Sequence, residues 1–352
     1  MKIAQIAPPW YPIPPKGYGG IELIVSQLAD GLAENGHDVV VYASLDSKSK
    51  AKVKGIFKKA PSAQIGQVYP DVLHVLNAYR DAHQFDIIHD HSGLIGPVVG
   101  SFVDKPVLFT LHGPATDNAK RLFKLIGKGV YFNSISKYQQ KCFGDMNWVG
   151  TVYNSIDTNA YSLCAQKDGY LLFLGRMNKE KGADVAVNVA RRLNKKLVMV
   201  TKITEKQEKE YFERNVEPLL NKDIVLMGEV DIKTKARLYA QASCTLFPIQ
   251  WPEPFGLVMI ESMATGTPVV AMRDGAVPEV IDDGKTGFIV GSEDEMVERV
   301  KEVGEISPEA CRLSVEERFS QNRMVADYEK IYQKILSLEK KKSKTQNCHC
   351  GR

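Results

Sequence analysis

The chain has 352 residues, 44% of them hydrophobic and 25% charged, and its 46 Lys and Arg against 42 Asp and Glu give a formal charge of +4. That balance argues against a nucleic-acid partner, no apolar run reaches the ~18–20 residues of a membrane span, and a prior of ~150 residues per domain leaves room for two. Six cysteines scattered along the chain speak against a disulfide scaffold and for a reducing, cytoplasmic setting.

"KIAQIA" (2–7) reads as a buried first strand; it lacks the apolar length of a signal peptide. A Pro/Gly-rich loop, 8–20, leads to a helix with Ile21, Ile24, Val25, Leu28, Ala29 and Leu32 on one face, stopped at Gly36. Strands are predicted at 38–43, 85–92 and 105–113, the last two ending in polar residues. After about residue 160 the alternation restarts. Strands are expected at 170–177, 196–201 and 223–230, and 239–249 passes from helix to strand. A helix over 182–193 should turn Val185, Val189, Ala190 and Leu193 inward. A last helix, 316–338, presents Phe319, Met324, Tyr328, Ile331, Ile335 and Leu338.

Strand, helix, strand in alternation implies parallel sheets covered on both faces. The expected architecture is two doubly wound halves, 1–157 and 158–315, a closing helix to 340, and a basic tail, 341–352, too polar to order. Ligands of such sheets bind beyond the carboxyl ends of the strands, so two facing halves would share a cleft. The tail carries Cys348, His349 and Cys350, adjacent ligand types without a second cluster, a poor zinc site.

Three stretches carry chemistry. Gly19 and Gly20 precede a helix, where bare backbone N–H groups and the helix dipole suit a phosphate, although a plain glycine turn fits as well. In "GRMNKEKG" (175–182), Arg176 and Lys181 offer a planar fork and a point charge that could clamp a diphosphate; a solvated charged loop is the alternative. In "WPEPFGLVMIESMATGTPVVA" (251–271), Pro254 suits a first helical position and keeps Glu253 extended before it. Gly256 lets a ligand approach the first-turn N–H groups. Glu261 then falls two turns into an apolar helix and needs a partner, either vicinal hydroxyls such as a ribose or an internal cation. Glu253 has its own alternative, a favourable charge beside a helix N-terminus.

With these blocks in order, the sequence resembles the family 4 retaining glycosyltransferases of the GT-B fold, two Rossmann-like domains facing across a cleft. The likeness runs from "PPKGYGGIELIVSQLADGLAENGHDV" through "LGRMNKEKG" to "EPFGLVMIESMATGTPVVAMRDGAVPEVIDDGKTGFIV". It implies that Glu261 reads the donor ribose. Glu253 would contact the transferred sugar, with the N–H groups of Phe255, Gly256 and Leu257 beside it. Arg176 and Lys181 would hold the diphosphate, and Gly19 and Gly20 would approach it from the N-terminal, acceptor-side half. His112 would sit by the reactive carbon. The implied donor is a UDP-sugar, with GDP-mannose as the alternative, and transfer would follow a front-face, retaining route. The sequence departs from the family at Asp274-Gly275, often two glycines, at "MVTKITEK" (199–206), which lacks a usual glycine, and at Ser155.

No Asp-x-Asp occurs in the sequence, so fixed cations and helix N-termini are expected to stabilise the leaving group without a metal or cofactor. The acceptor is a hydroxyl compound: a saccharide, a lipid-linked molecule or a small molecule. Trp10, Tyr11 and Tyr18 are candidates for stacking on it, and Lys340–Lys344 for a peripheral membrane contact. Competing readings are a glycoside hydrolase built on Glu253 and Glu261, a sugar-nucleotide epimerase and a non-catalytic nucleotide-sugar binding protein.

Overall fold

Runs of Val, Ile and Leu bounded by polar residues form strands buried on both faces, which parallel sheets require. The structure, a computed structural model, describes residues 1–17 and 19–349, the side chains of 343–349 excepted. Residues 1–154 with 321 onward form one unit and residues 155–320 a second.

The first unit holds β1 (Lys2–Ile6), β2 (Asp38–Tyr42), β3 (Lys52–Lys54), β4 (Ile87–Asp90), β5 (Val107–Leu111), β6 (Tyr131–Ser134) and β7 (Trp148–Thr151). Their order is β3-β2-β1-β4-β5-β6-β7, with every pairing parallel. The second holds β8 (Leu171–Arg176), β9 (Leu197–Lys202), β10 (Ile224–Met227), β11 (Cys244–Phe247), β12 (Val269–Met272) and β13 (Gly287–Val290). Their order is β10-β9-β8-β11-β12-β13, again all parallel. In each sheet the winding reverses beside the first strand, at β1/β4 and at β8/β11. Chains leaving the carboxyl ends on either side of such a point diverge and open a crevice.

The domain limits differ from the sequence expectation. The units divide at Asn154/Ser155 rather than after 157, and the expected closing helix is two helices. Helix Pro308–Arg318 belongs to the second unit and helix Gln321–His349 to the first. Phe319 leaves helical geometry at φ −135°, and Ser320 pairs with Ile156. Arg323, in the first turn of the next helix, donates to the carbonyls of Tyr153 (2.7 Å) and Asn154 (3.3 Å), which fastens the returning chain to the first unit. The backbone stays helical to His349, where a disordered tail is expected from 341. Lys342 tethers that stretch, bonding Glu339 at 2.7 Å and the Tyr131 hydroxyl at 3.0 Å. Cys350 and the side chains of Lys344, Cys348 and His349 lie outside the described residues.

Two helical faces also roll away from the expected register. Helix Ala183–Arg192 buries Ala183, Ala186, Val187, Val189 and Ala190, leaving Val185 and Leu193 half-buried. Small alanines let this helix lie close to β8, so the face is set by close approach rather than by the bulkiest side chains. Leu338 is exposed, whereas Met324, Tyr328 and Ile335 are buried as expected. In the first unit's core Phe132 is fully buried, its ring 5.2 Å from Phe123, 6.3 Å from Phe109 and 6.2 Å from Trp148. Phe132→Ala is expected to cost about 3–5 kcal/mol, read as a lower unfolding temperature of the first unit by calorimetry.

Candidate functional site

In the second unit, β8 and β11 deliver their following loops to the winding reversal. Asn178 caps the short turn Lys179–Lys181, its side chain accepting from the Lys181 N–H at 3.1 Å. Gly182 follows with φ +67°, and a Cβ there would lie 2.1 Å from the Pro248 carbonyl oxygen, so the two loops approach here at a distance only glycine allows. Lys181 therefore stands over the β11 loop. Its Nζ donates to Glu253 Oε2 at 2.5 Å and sits 4.8 Å above the Trp251 ring. Trp251 Nε1 donates to the same oxygen at 2.9 Å. Two residues that the sequence reading assigns to one ligand, Lys181 and Glu253, are thus brought together, and Trp251 joins them unforeseen.

The helix bearing Glu261 starts later than expected. It runs Leu257–Ala264, and Gly256 stands before it at φ +86°. Pro254 and Phe255 belong to the loop; Phe255 is buried, edge-on to Phe319 at 5.7 Å between ring centroids. The first-turn N–H groups therefore begin at Leu257, whereas those of Phe255 and Gly256, expected beside the sugar, belong to the preceding loop. Asp274-Gly275 also has a clear role. Gly275 has φ +54°, and a Cβ would lie 2.2 Å from the Glu253 carbonyl oxygen. Asp274 needs no glycine, since its φ is negative and its carboxylate caps the Gly275 N–H at 2.7 Å.

Glu261 is 3% exposed and already partnered. Oε1 accepts from Lys235 Nζ at 2.5 Å and the Tyr161 hydroxyl at 3.0 Å, and Oε2 from the Tyr239 hydroxyl at 3.0 Å. The internal cation is therefore realised. A carboxylate accepts about four hydrogen bonds, so these three leave it one more. Lys235 and Tyr239, four apart on helix Ile232–Gln241, share one face; that spacing was visible in the sequence but has no meaning until Glu261 faces it.

Arg176 likewise meets protein carboxylates. Nε donates to Glu208 Oε1 at 2.7 Å, and a terminal nitrogen lies 2.6 Å from Glu205. Glu208 is nearly sealed and also accepts from the Thr204 and Glu205 N–H groups at 2.9 and 3.0 Å. The segment lacking the family's glycine, 199–206, supplies Glu205, and Glu208 follows just beyond it. The sequence reading places this guanidinium on a diphosphate; the structure balances its charge within the unit.

In the first unit, helix Gly20–Glu34 follows the β1 loop. Gly19, at φ +144°, has no room for a Cβ, which would lie 2.8 Å from Pro15 Cβ and 3.2 Å from Glu22 Oε2. Glu22 is 4% exposed, and burial raises its pKa from 4.5 to about 7. An acid beside the expected phosphate cradle opposes an anion when ionised, so its protonated form favours that role. Its burial is cost-free below about pH 4.5, costs progressively more as pH rises, and costs in full above about 7. Glu22→Gln is expected to stabilise the protein by on the order of 2 kcal/mol at pH 8 and by little at pH 4.5, measured as the difference in unfolding temperature.

His112 follows β5, a half-buried residue whose Nε2 lies 2.9 Å from His91 Nδ1. Burial lowers its pKa to about 3, so it is a neutral imidazole at physiological pH. Trp10 and Tyr11 are half-buried, and Tyr18 lies outside the described residues. Among the described residues, no helix is long and apolar enough to cross a membrane.

The family described as glycosyl transferases group 1 matches residues 159–322, and glycosyltransferase family 4 matches 18–158. The chain belongs to these group 1, family 4-type glycosyltransferases, and its fold is GT-B. It is 26% identical over 328 residues to a phosphatidyl-myo-inositol mannosyltransferase of Mycolicibacterium smegmatis, covering 84% of this chain and 82% of that protein. Sucrose-phosphate synthase from Thermosynechococcus elongatus superposes with a TM-score of 0.81 at 17% identity, over 96% of this chain and 100% of that one. HepE of Anabaena, solved with UDP-glucose, gives 0.73 at 18% identity over 96% and 100%. The chain is an enzyme, a glycosyltransferase.

Proposed function

We propose that the protein moves a hexose from a nucleoside diphosphate to a hydroxyl acceptor with retention and without a metal. The donor is a UDP-sugar, with GDP-mannose as the alternative. The observation that carries this reading is the Glu253–Lys181–Trp251 cluster at the carboxyl ends of β8 and β11. Lys181 fixes and neutralises the acid, leaving Glu253 Oε1 for sugar hydroxyls while the ammonium faces the departing phosphate. Glu205, more than half exposed, is the partner of Arg176 that a diphosphate replaces. Glu261 offers its remaining lone pair to the ribose. Gly19 and Gly20 serve the diphosphate, and His112 the sugar.

In the transfer, the bond from the anomeric carbon to the diphosphate oxygen breaks, and a bond to the acceptor oxygen forms on the same face. The acceptor's proton passes to the leaving phosphate. Lys181 and the Leu257 helix N-terminus supply a positive field already in place as negative charge grows there. UDP-glucose bound to HepE supports the choice of UDP. The lipid in the name of the mycobacterial relative keeps lipid-linked acceptors beside saccharides and small molecules. The proposed setting is cytoplasmic, with any membrane contact peripheral.

A thermal-shift screen of nucleotide sugars tests the reading, because a ligand bound to the folded state raises the unfolding temperature. UDP-glucose or another donor should raise it, Glu261→Ala should weaken the shift, and nucleotide release with acceptor should survive a chelator. Product of inverted configuration, or turnover abolished by the chelator, defeats the proposal.

A further inference from the structure

His89, His91, Thr110 and His112 lie two apart on the neighbouring strands β4 and β5 or just beyond them, so all four point to one face of the sheet. Helix Gln321–His349 brings Tyr328 and Tyr332 to that face, and Gln5 of β1 pairs in register with His89. The result is a buried chain of hydrogen bonds. His112 Nε2 lies 2.9 Å from His91 Nδ1, and His91 Nε2 lies 3.1 Å from Gln5 Oε1. Gln5 Nε2 donates to the Tyr332 hydroxyl at 2.8 Å. That hydroxyl is 2.7 Å from His89 Nδ1, and His89 Nε2 is 2.7 Å from Thr110 Oγ1.

Burial holds all three imidazoles neutral, so each has one donor nitrogen and one acceptor. Gln5 sets the direction. Its amide nitrogen is committed to Tyr332, so its oxygen faces His91, which must carry its proton on Nε2. His91 Nδ1 is then an acceptor, and His112 must donate from Nε2.

We propose that His91 and Gln5 are positioning residues that lock His112 in its Nε2–H tautomer, keeping Nδ1 as a hydrogen-bond acceptor for a hydroxyl of the transferred sugar. The sugar part rests on the function proposed above; the lock does not. Turning one amide would reverse the whole chain. Gln5 would donate to His91, His91 would donate to His112, and His112 would present an N–H in place of a lone pair. The tautomer is thus a property of the scaffold, decided about two side chains away from the ring that uses it.

The test is long-range proton–nitrogen NMR on the free protein labelled with 15N-histidine, with His112 assigned by substitution. Wild type should show His112 protonated on Nε2. His91→Phe should give a mixture of tautomers, and His91→Asn, whose side-chain oxygen replaces Nδ1, should restore the single form. With a responsive donor, His91→Phe should lower kcat roughly three- to tenfold with little change in donor KM, and His91→Asn should recover most of it. His112 protonated on Nδ1 in wild type, or a tautomer indifferent to His91→Phe, overturns the lock. If His91→Phe does not fold, Gln5→Leu removes the amide that orients His91 and should produce the same mixture; a single Nε2–H form there overturns it equally. The expected tautomers without turnover of any nucleotide sugar support the lock and remove the sugar-transfer reading.

Discussion

Lys181→Ala is expected to lower kcat by about 10²–10³-fold, the loss seen when one preorganised donor to a developing anion is removed. Two effects contribute. Glu253 loses the ammonium 2.5 Å from its Oε2 and keeps only the indole N–H of Trp251 among the partners described, so an under-compensated charge faces an anionic donor. The leaving phosphate also loses a fixed cation. A double-mutant cycle separates them. If Lys181 acts mainly by neutralising Glu253, Lys181→Ala costs little more in a Glu253→Gln background. If it acts on the leaving group, the full factor persists there. Single-turnover rates with saturating donor are the measurement, since they isolate the chemical step from product release. A Lys181→Ala enzyme with wild-type kcat removes the leaving-group role.

What was legible in the sequence was local. β8, β11 and the helix after Gly20 are apolar runs with strong periodicity or clear stops, and Lys181 and Glu253 were recognisable because each lies beside such a run. β3, β6, β7 and β13 are not separable from loop in the sequence, because lysine, asparagine or glycine breaks or bounds each short apolar run. The partners of the site residues were hidden for another reason. Glu205 and Glu208 are about thirty residues beyond Arg176, Lys235 is 26 before Glu261, and Tyr332 is 327 beyond Gln5. Such pairings follow from strand order, which no single segment encodes. The helix start at Leu257 was misjudged because Pro254 is an apt first residue, whereas the positive φ of Gly256 must come first in this loop.

Gly275→Ala is expected to destabilise the second unit by on the order of 3 kcal/mol or more and to weaken donor binding at the same time. The backbone there is left-handed, and the new Cβ would lie 2.2 Å from the Glu253 carbonyl oxygen and 2.4 Å from its nitrogen. Both are main-chain atoms, so no rotamer change relieves the overlap. The loop carrying Glu253 must move, and with it the hydrogen bond from the Ala276 N–H to the Glu253 carbonyl at 2.9 Å. Displacing Glu253 by even an ångström undoes the geometry with Lys181 and Trp251, and misplacement on that scale is enough to cost about 10²-fold in rate. Asp274→Gly is the matched control. Position 274 has ordinary φ, so that change removes only the cap on the Gly275 N–H and should cost about 1 kcal/mol with donor affinity nearly intact. Calorimetry on both variants, together with donor titration, separates the steric requirement at 275 from a general sensitivity of the turn. Equal losses in the two variants would mean that the turn matters through its flexibility and not through its contact with Glu253.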